Sequence, residues 1–306
     1  MRIIVIILSS FMFISCSKEL DTMGSLNKES VNGIEINWRD GVTSEQRKIV
    51  MAIIGNMVRV KGGRFVMGAT PEQVEYARAN EYPLCYVELS DYYICKFEIT
   101  DEQYIAIASD PREGTAVTSL YLSWEDWQYF IEAFNEISGL KMDFPTEAQW
   151  EFAARGGLET KGYIFPGSNN LLDVWTDSEV KGSKTPNELG LYNMADLKSE
   201  WCKDRYYEYN DAKLLRNPCI DEGKQRVVRG GNYHCEGTNS KYLSSSIITS
   251  NHFGNYKIGS SLTGTFDYRY CRTTARSYNY VPSESVSGES GRSQYIGCRL
   301  VLNIEK

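Results

Sequence analysis

Thiols and carboxylates are the groups in this sequence that could hold a metal ion or act as nucleophiles. The eight cysteines are accompanied by two histidines, His234 and His252, and no Cys-x-x-Cys spacing occurs. Zinc ribbons and three-histidine metal sites therefore lack their ligands. An odd number of cysteines follows Cys16, so a monomer keeps at least one thiol outside any disulfide, and the sequence does not show which cysteines pair. These cysteines are Cys85, Cys95, Cys202, Cys219, Cys235, Cys271 and Cys298.

Tyrosines are the other residues with functional capacity, and they gather late in the chain. Seven of the 21 tyrosines lie between Tyr242 and Tyr295, among many Ser, Asn, Thr and Gly residues. Rigid aromatic side chains among adaptable polar ones are typical of antibody loops that bind proteins and glycans. We expect a binding surface for a protein or glycan here, although a merely polar loop region has the same composition. Its candidate residues are Tyr242, Tyr256, Tyr270, Tyr278 and Tyr280.

The first residues predict an export signal. An apolar run from Ile3 to Ile14 is too short to span a bilayer but suits a signal peptide. The run ends at Ser15 and Cys16, as in a bacterial lipobox, with Phe13 in place of the usual Leu. The sequence thus predicts a signal peptide over residues 1–16, lipidation of Cys16 and a flexible tether over residues 17–35. An ordinary signal peptide with an incidental cysteine is the alternative.

A lipidated Cys16 would place the protein in the bacterial cell envelope, at the outer membrane or facing the periplasm, with the membrane as a partner through the lipid anchor. Composition excludes other classes. The chain has 306 residues, 42% hydrophobic and 24% charged, which is ordinary for a globular protein. A net charge of -7 without a Lys/Arg run argues against nucleic acid as a partner.

Local patterns predict an α+β domain with short strands, a few helices and a loop-rich second half. Capping boxes at Thr43, Thr100 and Thr146, each with Gln three residues later, predict helix starts, and Ser123 predicts another. Alternating apolar residues around the turn at residues 62–63 predict a hairpin over residues 57–68, and a second alternating pair of strands covers residues 86–89 and 93–99. Residues 36–55 read as a helical lead-in, and residues 56–303 as the main domain.

Several separated motifs resemble, in order, those of the formylglycine-generating enzyme family, also called sulfatase-modifying factors. The stretch FPTEAQWEFAARGG at residues 144–157 is similar to that family's signature. The resemblance implies a fold related to C-type lectins. Further matching positions are residues 57–68, Glu81, Pro83 and residues 97–104, 122–124, 186–194, 200–201, 229–231 and 296–301.

The resemblance also implies a chemistry. Active members oxidise a substrate cysteine with oxygen, using copper held by two cysteines just before an Ala-Arg-Ser motif, and paired soft thiolates suit Cu(I). When residues 275–277 are aligned with that motif, the two cysteine positions fall on Tyr268 and Thr273. Copper is therefore not expected. The active-site-equivalent region comprises Tyr268, Cys271, Thr273, Arg276 and Ser277.

The family's calcium loop, Gly-Asn-Val-Trp-Glu-Trp, corresponds to residues 196–201. Leu197 replaces the asparagine that would offer an oxygen, and Lys198 adds an adverse charge. Calcium held by Glu200 and Asp196 at a shifted site stays open beside a purely structural Glu200, which the sequence favours.

Three functions are consistent with these observations to different degrees. The first is an envelope lipoprotein whose domain is non-catalytic and binds a ligand or protein. The alternative is a copper-dependent oxidase that converts a sulfatase cysteine to formylglycine, which needs the missing thiolate pair. An oxidase with another metal, as in sulfoxide synthases of this fold, would need a histidine cluster that the chain lacks.

Overall fold

A computed structural model describes residues 27–108, 120–175, 181–196, 198–210, 214–231, 271–280 and 291–304. Five candidate residues lie outside the described residues: Cys16, Tyr242, Tyr256, Tyr268 and Tyr270. Across the described ranges, no helix is long and apolar enough to cross a membrane.

The fold is α+β, as the sequence predicts, with short helices and short strands. The helices are α1 (Ser44–Gly55), α2 (Asp101–Ala108), α3 (Trp124–Ser138), α4 (Glu147–Ala154) and α5 (Leu171–Val174), with 3-10 turns at Pro71–Tyr76, Ala79–Glu81 and Gly157–Glu159. The strands are β1 (Lys28–Val31), β2 (Ile34–Asn37), β3 (Met57–Val60), β4 (Arg64–Met67), β5 (Cys85–Glu88), β6 (Tyr92–Cys95), β7 (Met142–Asp143), β8 (Ser199–Arg205), β9 (Leu215–Arg216), β10 (Gln225–Arg229), β11 (Ser277–Tyr280), β12 (Ile296–Gly297) and β13 (Val301–Asn303).

The predicted capping boxes are confirmed. The Thr43 and Thr146 side chains each accept a hydrogen bond from the backbone N–H three residues on, and the Gln46 and Gln149 side chains each accept one from the backbone N–H of the capping threonine. Ser123 caps α3 in the same way, and Gly139 ends that helix in a left-handed conformation.

The predicted hairpin over residues 57–68 is wrong and the second pair of strands is not paired with itself, although all four strands exist. β3 pairs with β6 and β4 pairs with β5, all antiparallel, so two ribbons cross from one sheet into another. Gly62 stands at the crossing, where an added Cβ would lie 2.2 Å from the carbonyl oxygen of Leu89. The backbone N–H of Gly62 donates to Asp91 at 3.0 Å. Sequence alternation identifies each strand but not its partner.

Regular structure begins at Lys28, which is closer to the amino terminus than the predicted end of the tether at residue 35. β1 and β2 form an antiparallel hairpin. Ile34 and Ile36 of β2 are buried in the cluster that also contains Trp38 and helices α1 and α3. Their alternation with exposed Glu35 and Asn37 is the pattern of a half-buried strand, so this segment belongs to the core.

Three apolar clusters form the interior. The largest contains side chains of β2, α1, α2 and α3, and the second packs α4 against β4, β5 and β6. The third is small and holds Phe165, Val174, Ala195 and Cys271. In the loop-rich second half, a sheet of order β11-β10-β8-β12 carries the segment that the sequence singles out.

Candidate functional site

The active-site-equivalent segment runs into β11, whose first residue, Ser277, lies opposite Val228 of β10. Every side chain from Cys271 to Arg276 is buried, with at most 1% of each residue exposed. The segment is thus part of the interior, and its reactive-type residues do not face solvent.

Thr273 occupies one position that the family resemblance assigns to a copper thiolate. Its hydroxyl accepts a hydrogen bond from the amide of Gln73 at 3.0 Å, and its backbone N–H donates to Ile164 at 3.0 Å. The same Gln73 amide also donates to the carbonyl oxygens of Tyr163 and Ile164. The hydroxyl and the backbone N–H of Thr273 thus both have hydrogen-bond partners within the protein.

Arg272, next to Thr273, forms a fully buried ion pair with Glu81. Both carboxylate oxygens of Glu81 accept from the guanidinium, one of them at 2.9 Å from Nη1. The hydroxyl of Thr274 donates to the same carboxylate at 2.6 Å. A bidentate, additionally hydrogen-bonded pair of this kind satisfies both buried charges.

Arg276 forms a second buried pair, with Glu147 at the start of α4. Its Nε and Nη2 donate to the two carboxylate oxygens at 2.8 and 2.7 Å. Arg229 also donates to Glu147, at 3.0 Å, and to Glu151. The rings of Tyr206, Tyr207 and Tyr209 surround the Arg276 guanidinium, the nearest with its centroid at 3.7 Å. Glu147 therefore links α4 to Arg229 of β10 and to Arg276, the residue before β11.

The described residues do not fit a copper site of the family's kind. Cys271 lies in the small apolar cluster, and at position 273 the chain offers a neutral hydroxyl that is already hydrogen-bonded. Cu(I) prefers soft thiolates to such an oxygen. Cys95, Cys202 and Cys298 are buried elsewhere, and burial raises the pKa of each thiol, which opposes thiolate formation.

Glu200 and Asp196 also fail to present free oxygens to calcium. Both oxygens of Glu200 accept from the guanidinium of Arg299, at 2.6 to 3.0 Å, and one accepts from the indole of Trp150 at 2.8 Å. Asp196 accepts from Asn193 at 2.5 Å and from a backbone N–H at 3.2 Å. These carboxylates do not fit a calcium site, and Glu200 anchors an ion pair between β8 and the segment before β13.

Burial also favours the neutral form of two carboxyl groups near residues 196–201, because it raises their pKa values. Burial raises the pKa of Asp196 to about 6, with Glu200 as a smaller cause. Burial, then Asp196 and Glu200, raise the pKa of Glu98 well above its usual range. Within the described part of the chain, no group of three or more His, Cys, Asp or Glu side chains is arranged to hold a metal ion.

Tyr278 is the candidate binding residue that the structure places on the surface. It is 44% exposed, and its ring meets that of Tyr206 at 4.6 Å between centroids. The hydroxyl of Tyr206 accepts a hydrogen bond from the Asn80 side chain at 3.0 Å, which fixes the Tyr206 ring against which Tyr278 packs. Tyr280 ends the same strand, two residues on.

The partners of the buried arginines were missed from the sequence. Gln73, Glu81 and Glu147 lie 200, 191 and 129 residues away from Thr273, Arg272 and Arg276. Glu147 stands inside the best-matched motif, which was a signal for its importance but not for its partner. Glu81 belongs to a family-like block, which marked it but not its partner, and nothing local marks Gln73.

Comparison with known proteins relates the chain to a family. Residues 45–258 match the model of the sulfatase-modifying factor enzyme 1-like domain. The formylglycine-generating enzyme of Streptomyces coelicolor is 31% identical over 141 residues, covering 38% of this chain and 42% of the enzyme. The inactive C-alpha-formylglycine-generating enzyme 2 of Bos taurus is 30% identical over 125 residues, covering 34% of this chain and 39% of that protein.

Among solved structures, Treponema denticola variable protein 1 has a TM-score of 0.55 at 17% identity, over 90% of this chain and 98% of that chain, which is a likeness of fold. The sequence match spans 35 to 42% of the length of these formylglycine-generating enzymes. Since the family model covers more than half of the chain and the α+β fold agrees with it, the chain belongs to the sulfatase-modifying factor enzyme 1-like domain family.

Proposed function

We propose that this chain is a non-catalytic member of its family that binds a protein or glycan ligand, anchored in the bacterial cell envelope by a lipidated Cys16. The observation that carries the proposal is Thr273. A hydroxyl that is buried and bonded to Gln73 stands where the resemblance expects a copper thiolate. The family includes a bovine protein that is itself named inactive.

The surroundings of Thr273 support a structural use of this region. The neighbouring residues Arg272 and Arg276 are committed to buried ion pairs with Glu81 and Glu147. Moving the segment to admit a metal would separate these charges in the interior, where an unpaired charge is costly. A domain that keeps the family fold but lacks the expected copper thiolate at position 273 can still present a surface for binding.

The binding half of the proposal is supported by Tyr278. Its exposed ring, braced by Tyr206, offers a flat aromatic contact with little freedom to lose on binding. The proposed ligand is a glycan or a protein, because both use such contacts. We therefore expect Tyr278→Ala to weaken retention on immobilised envelope polysaccharide or protein fractions, whereas Tyr121→Ala, at a residue of similar exposure, 49%, does not.

The alternative is the copper-dependent oxidase, and one assay separates the two. The purified protein, loaded with Cu(I), is incubated with oxygen and a cysteine peptide derived from a sulfatase, and the peptide mass is followed. We expect no aldehyde product and no stoichiometric copper. A double variant, Tyr268→Cys with Thr273→Cys, tests whether restoring the thiolate pair restores copper binding.

Aldehyde formation would contradict the proposal, and cysteine variants would show whether it depends on Cys271. Aldehyde formation that is lost in Cys271→Ser and kept in Cys219→Ser, a change at an exposed cysteine outside the segment, would establish the oxidase and overturn the proposal. Catalysis would then need a second thiol from elsewhere in the chain, and replacing Cys235 or Cys298 would identify it.

A further inference from the structure

A cavity of about 280 Å³ lies where α4 begins, outside the segment around Thr273. It is bounded by β7 and the residues that lead into α4, by residues 89–91 between β5 and β6, and by the end of β13. Lys203 of β8 completes the wall together with Asn217 and Cys219, which follow β9. The cavity shares no residue with the tyrosine surface or with the segment around Thr273.

The wall of this cavity is mostly polar. Eight of the twelve residues that line it carry a hydrogen-bonding or charged side chain. The other four are Leu89, Phe144, Cys219 and Ile304. An apolar molecule would take water away from these polar groups without replacing its hydrogen bonds, so the wall favours a polar ligand.

The charges of the wall are balanced. The ammonium of Lys203 pairs with the carboxylate of Asp143. The carboxylate of Asp91 accepts from Arg59 at 3.0 Å and from the backbone N–H of Gly62 at 3.0 Å. Each of the three charged side chains that line the cavity thus has a partner of opposite sign. A charged ligand would have to compete with these pairs, so the wall favours a neutral one.

Hydrogen bonds fix the polar side chains on both sides of the cavity. On the α4 side, Nε2 of Gln149 donates to Oδ1 of Asn303 at 2.7 Å, and Oε1 of Gln149 accepts from the backbone N–H of Thr146 at 3.0 Å. On the other side, Oδ1 of Asn217 accepts from the backbone N–H of Ser90 at 2.7 Å, and Nδ2 of Asn217 donates to the Ser90 hydroxyl at 3.1 Å. The groups that a ligand would meet are therefore held in place.

The two sides meet where β13 ends beside the start of β6. Asn303 is paired with Tyr92 in the antiparallel ladder. The ladder continues one residue further, because the backbone N–H of Ile304 donates to the carbonyl oxygen of Asp91 at 3.3 Å. Ser90 and Asn303 are therefore diagonal neighbours on adjoining strands, about 7–8 Å apart, which is within the span of one small ligand.

Both of these residues keep a donor for a ligand. Oδ1 of Asn303 is used by Gln149, whereas Nδ2 of Asn303 has no hydrogen-bond partner among the residues that the structure describes. The Ser90 hydroxyl accepts from Asn217, which leaves its own hydrogen to donate. Hydroxyl oxygens on one ring can accept from both donors.

We propose that this cavity binds a neutral, hydroxyl-rich molecule of the size of one sugar ring, held by hydroxyl groups that accept from Asn303 and Ser90. A volume of about 280 Å³ has room for one such ring and not for several. The site is independent of the proposed function, because its ligand is bound by hydrogen bonds in a cavity and not by the exposed ring of Tyr278.

Nuclear magnetic resonance titrations with saturation transfer test the proposal on the full-length protein. The methyl glycosides of glucose, galactose and mannose offer neutral rings with hydroxyls in three arrangements, and cyclohexanol offers a ring with one hydroxyl. We expect saturable binding of at least one glycoside, weaker binding of the corresponding uronic acid and none of cyclohexanol. Binding of no glycoside, equal binding of cyclohexanol or tighter binding of the uronic acid would overturn the proposal.

Variants of the two donors test the site itself. Asn303→Ala and Ser90→Ala should each weaken binding of the glycoside about tenfold, because each removes a hydrogen bond to it. Asn169→Ala is the matched control, since Asn169 is also an exposed asparagine whose Oδ1 accepts one hydrogen bond, from Ile164 at 2.9 Å, but it lies outside the cavity. Its affinity should stay unchanged, and near-ultraviolet circular dichroism should show an intact fold in all three variants. An equal loss in Asn169→Ala would refute the assignment to this cavity.

Cys219 reports where the ligand lies, because it is an exposed cysteine that lines the cavity. Bound glycoside should slow the alkylation of Cys219 by iodoacetamide, measured by the mass of the peptide that contains it. Tyr278→Ala should leave glycoside binding unchanged. Binding without protection of Cys219, or binding that is lost in Tyr278→Ala, would overturn the cavity site while leaving the proposed tyrosine surface in place.

Discussion

At the scale of single residues, the buried guanidinium–carboxylate pairs dominate the architecture around the candidate site. Arg272, Arg276 and Arg299 are each at most 1% exposed, and each is bidentate to one glutamate. A pair of this geometry can be neutral in its net contribution to stability, whereas removing one partner leaves a charge without compensation in the interior. The two outcomes are separable by mutation.

Arg272→Met should lower the free energy of unfolding by about 3–5 kcal/mol, because Glu81 is left buried and uncompensated. Adding Glu81→Leu should recover part of this loss. The control is Arg64→Met, at a pair with Glu88 in which the Arg64 side chain is 69% exposed, and it should cost less than about 1 kcal/mol. Urea denaturation measures all four proteins, and equal losses for Arg272 and Arg64 would refute the argument.

Asp204 predicts a dependence of stability on pH. Burial first, and then Glu147, raise its pKa to about 7, whereas an unfolded Asp titrates near about 3.9. Between these values the native state binds a proton that the unfolded state has released, so the Asp204 contribution to stability falls as pH rises from about 4 to about 7. Asp196, with its pKa raised to about 6, has the same sign.

The measurement compares wild type with Asp204→Asn by urea denaturation across this range. The difference in unfolding free energy between them should change steadily with pH and level off above about 7. Asp221→Asn, at a side chain that is 82% exposed, should run parallel to wild type. A difference for Asp204→Asn that is constant with pH would contradict the prediction.

Residue-level prediction from sequence succeeded where the signal was local. The capping partners of Thr43 and Thr146 were legible because both members of each box lie within one helical turn. Glu81 and its partner Arg272 are 191 residues apart, and no pattern in a single sequence connects them. The roles proposed for Tyr268 and most of the tyrosine surface stay predictions, since those residues lie outside the described ranges.

At the scale of elements, two pairs of β-strands pass from one sheet to another at Gly62. β3 and β4 follow each other in the chain but lie in different sheets, and so do β5 and β6. The backbone at Gly62 passes so close to Leu89 and Ser90 that a side chain has no room. This contact couples the two sheets.

Gly62→Ala should therefore destabilise the protein by several kcal/mol, well above the general preference between these residues, because a Cβ would meet a carbonyl oxygen at 2.2 Å. Gly55→Ala is the matched control: its Cβ would meet Val31 at an ordinary 3.5 Å, within α1. That variant should be neutral or slightly stabilising. Thermal denaturation compares them, and equal midpoints would mean that the crossing relaxes easily.

Element identity was predictable from periodicity, but pairing was not. Alternation in residues 57–68 showed two strands and a glycine turn, which suits a hairpin and a crossing equally. Whether the two strands pair with each other or cross between sheets depends on Asp91 and Leu89, which hydrogen-bond to the turn from another part of the chain. The hairpin β1-β2 was assigned in part to the tether because its strands are short and its charged residues alternate with few apolar ones.

At the scale of the whole molecule, the proposed lipid anchor would hold the proposed binding surface at a membrane. Cys16→Ser should move the protein from the detergent phase to the aqueous phase in a partition experiment, because acylation needs the thiol. Cys219→Ser, at an exposed cysteine of the folded domain, should leave partitioning unchanged. Continued detergent-phase recovery of Cys16→Ser would exclude lipidation at this residue.

The long reach of the buried ion pairs also bears on the order in which the chain can fold. Glu81, Glu147 and Glu200 are synthesised early, and their guanidinium partners follow 191, 129 and 99 residues later. Until residues 272–299 exist, closing the domain would bury Glu81 and Glu200 without a guanidinium partner and would leave Glu147 with Arg229 alone. We therefore expect the domain to complete its folding only after its carboxy-terminal residues have been synthesised. An open chain is also the form that a translocation pore can pass, so in the proposed exported protein the contacts that lock the finished domain would also keep the chain open until synthesis is nearly over.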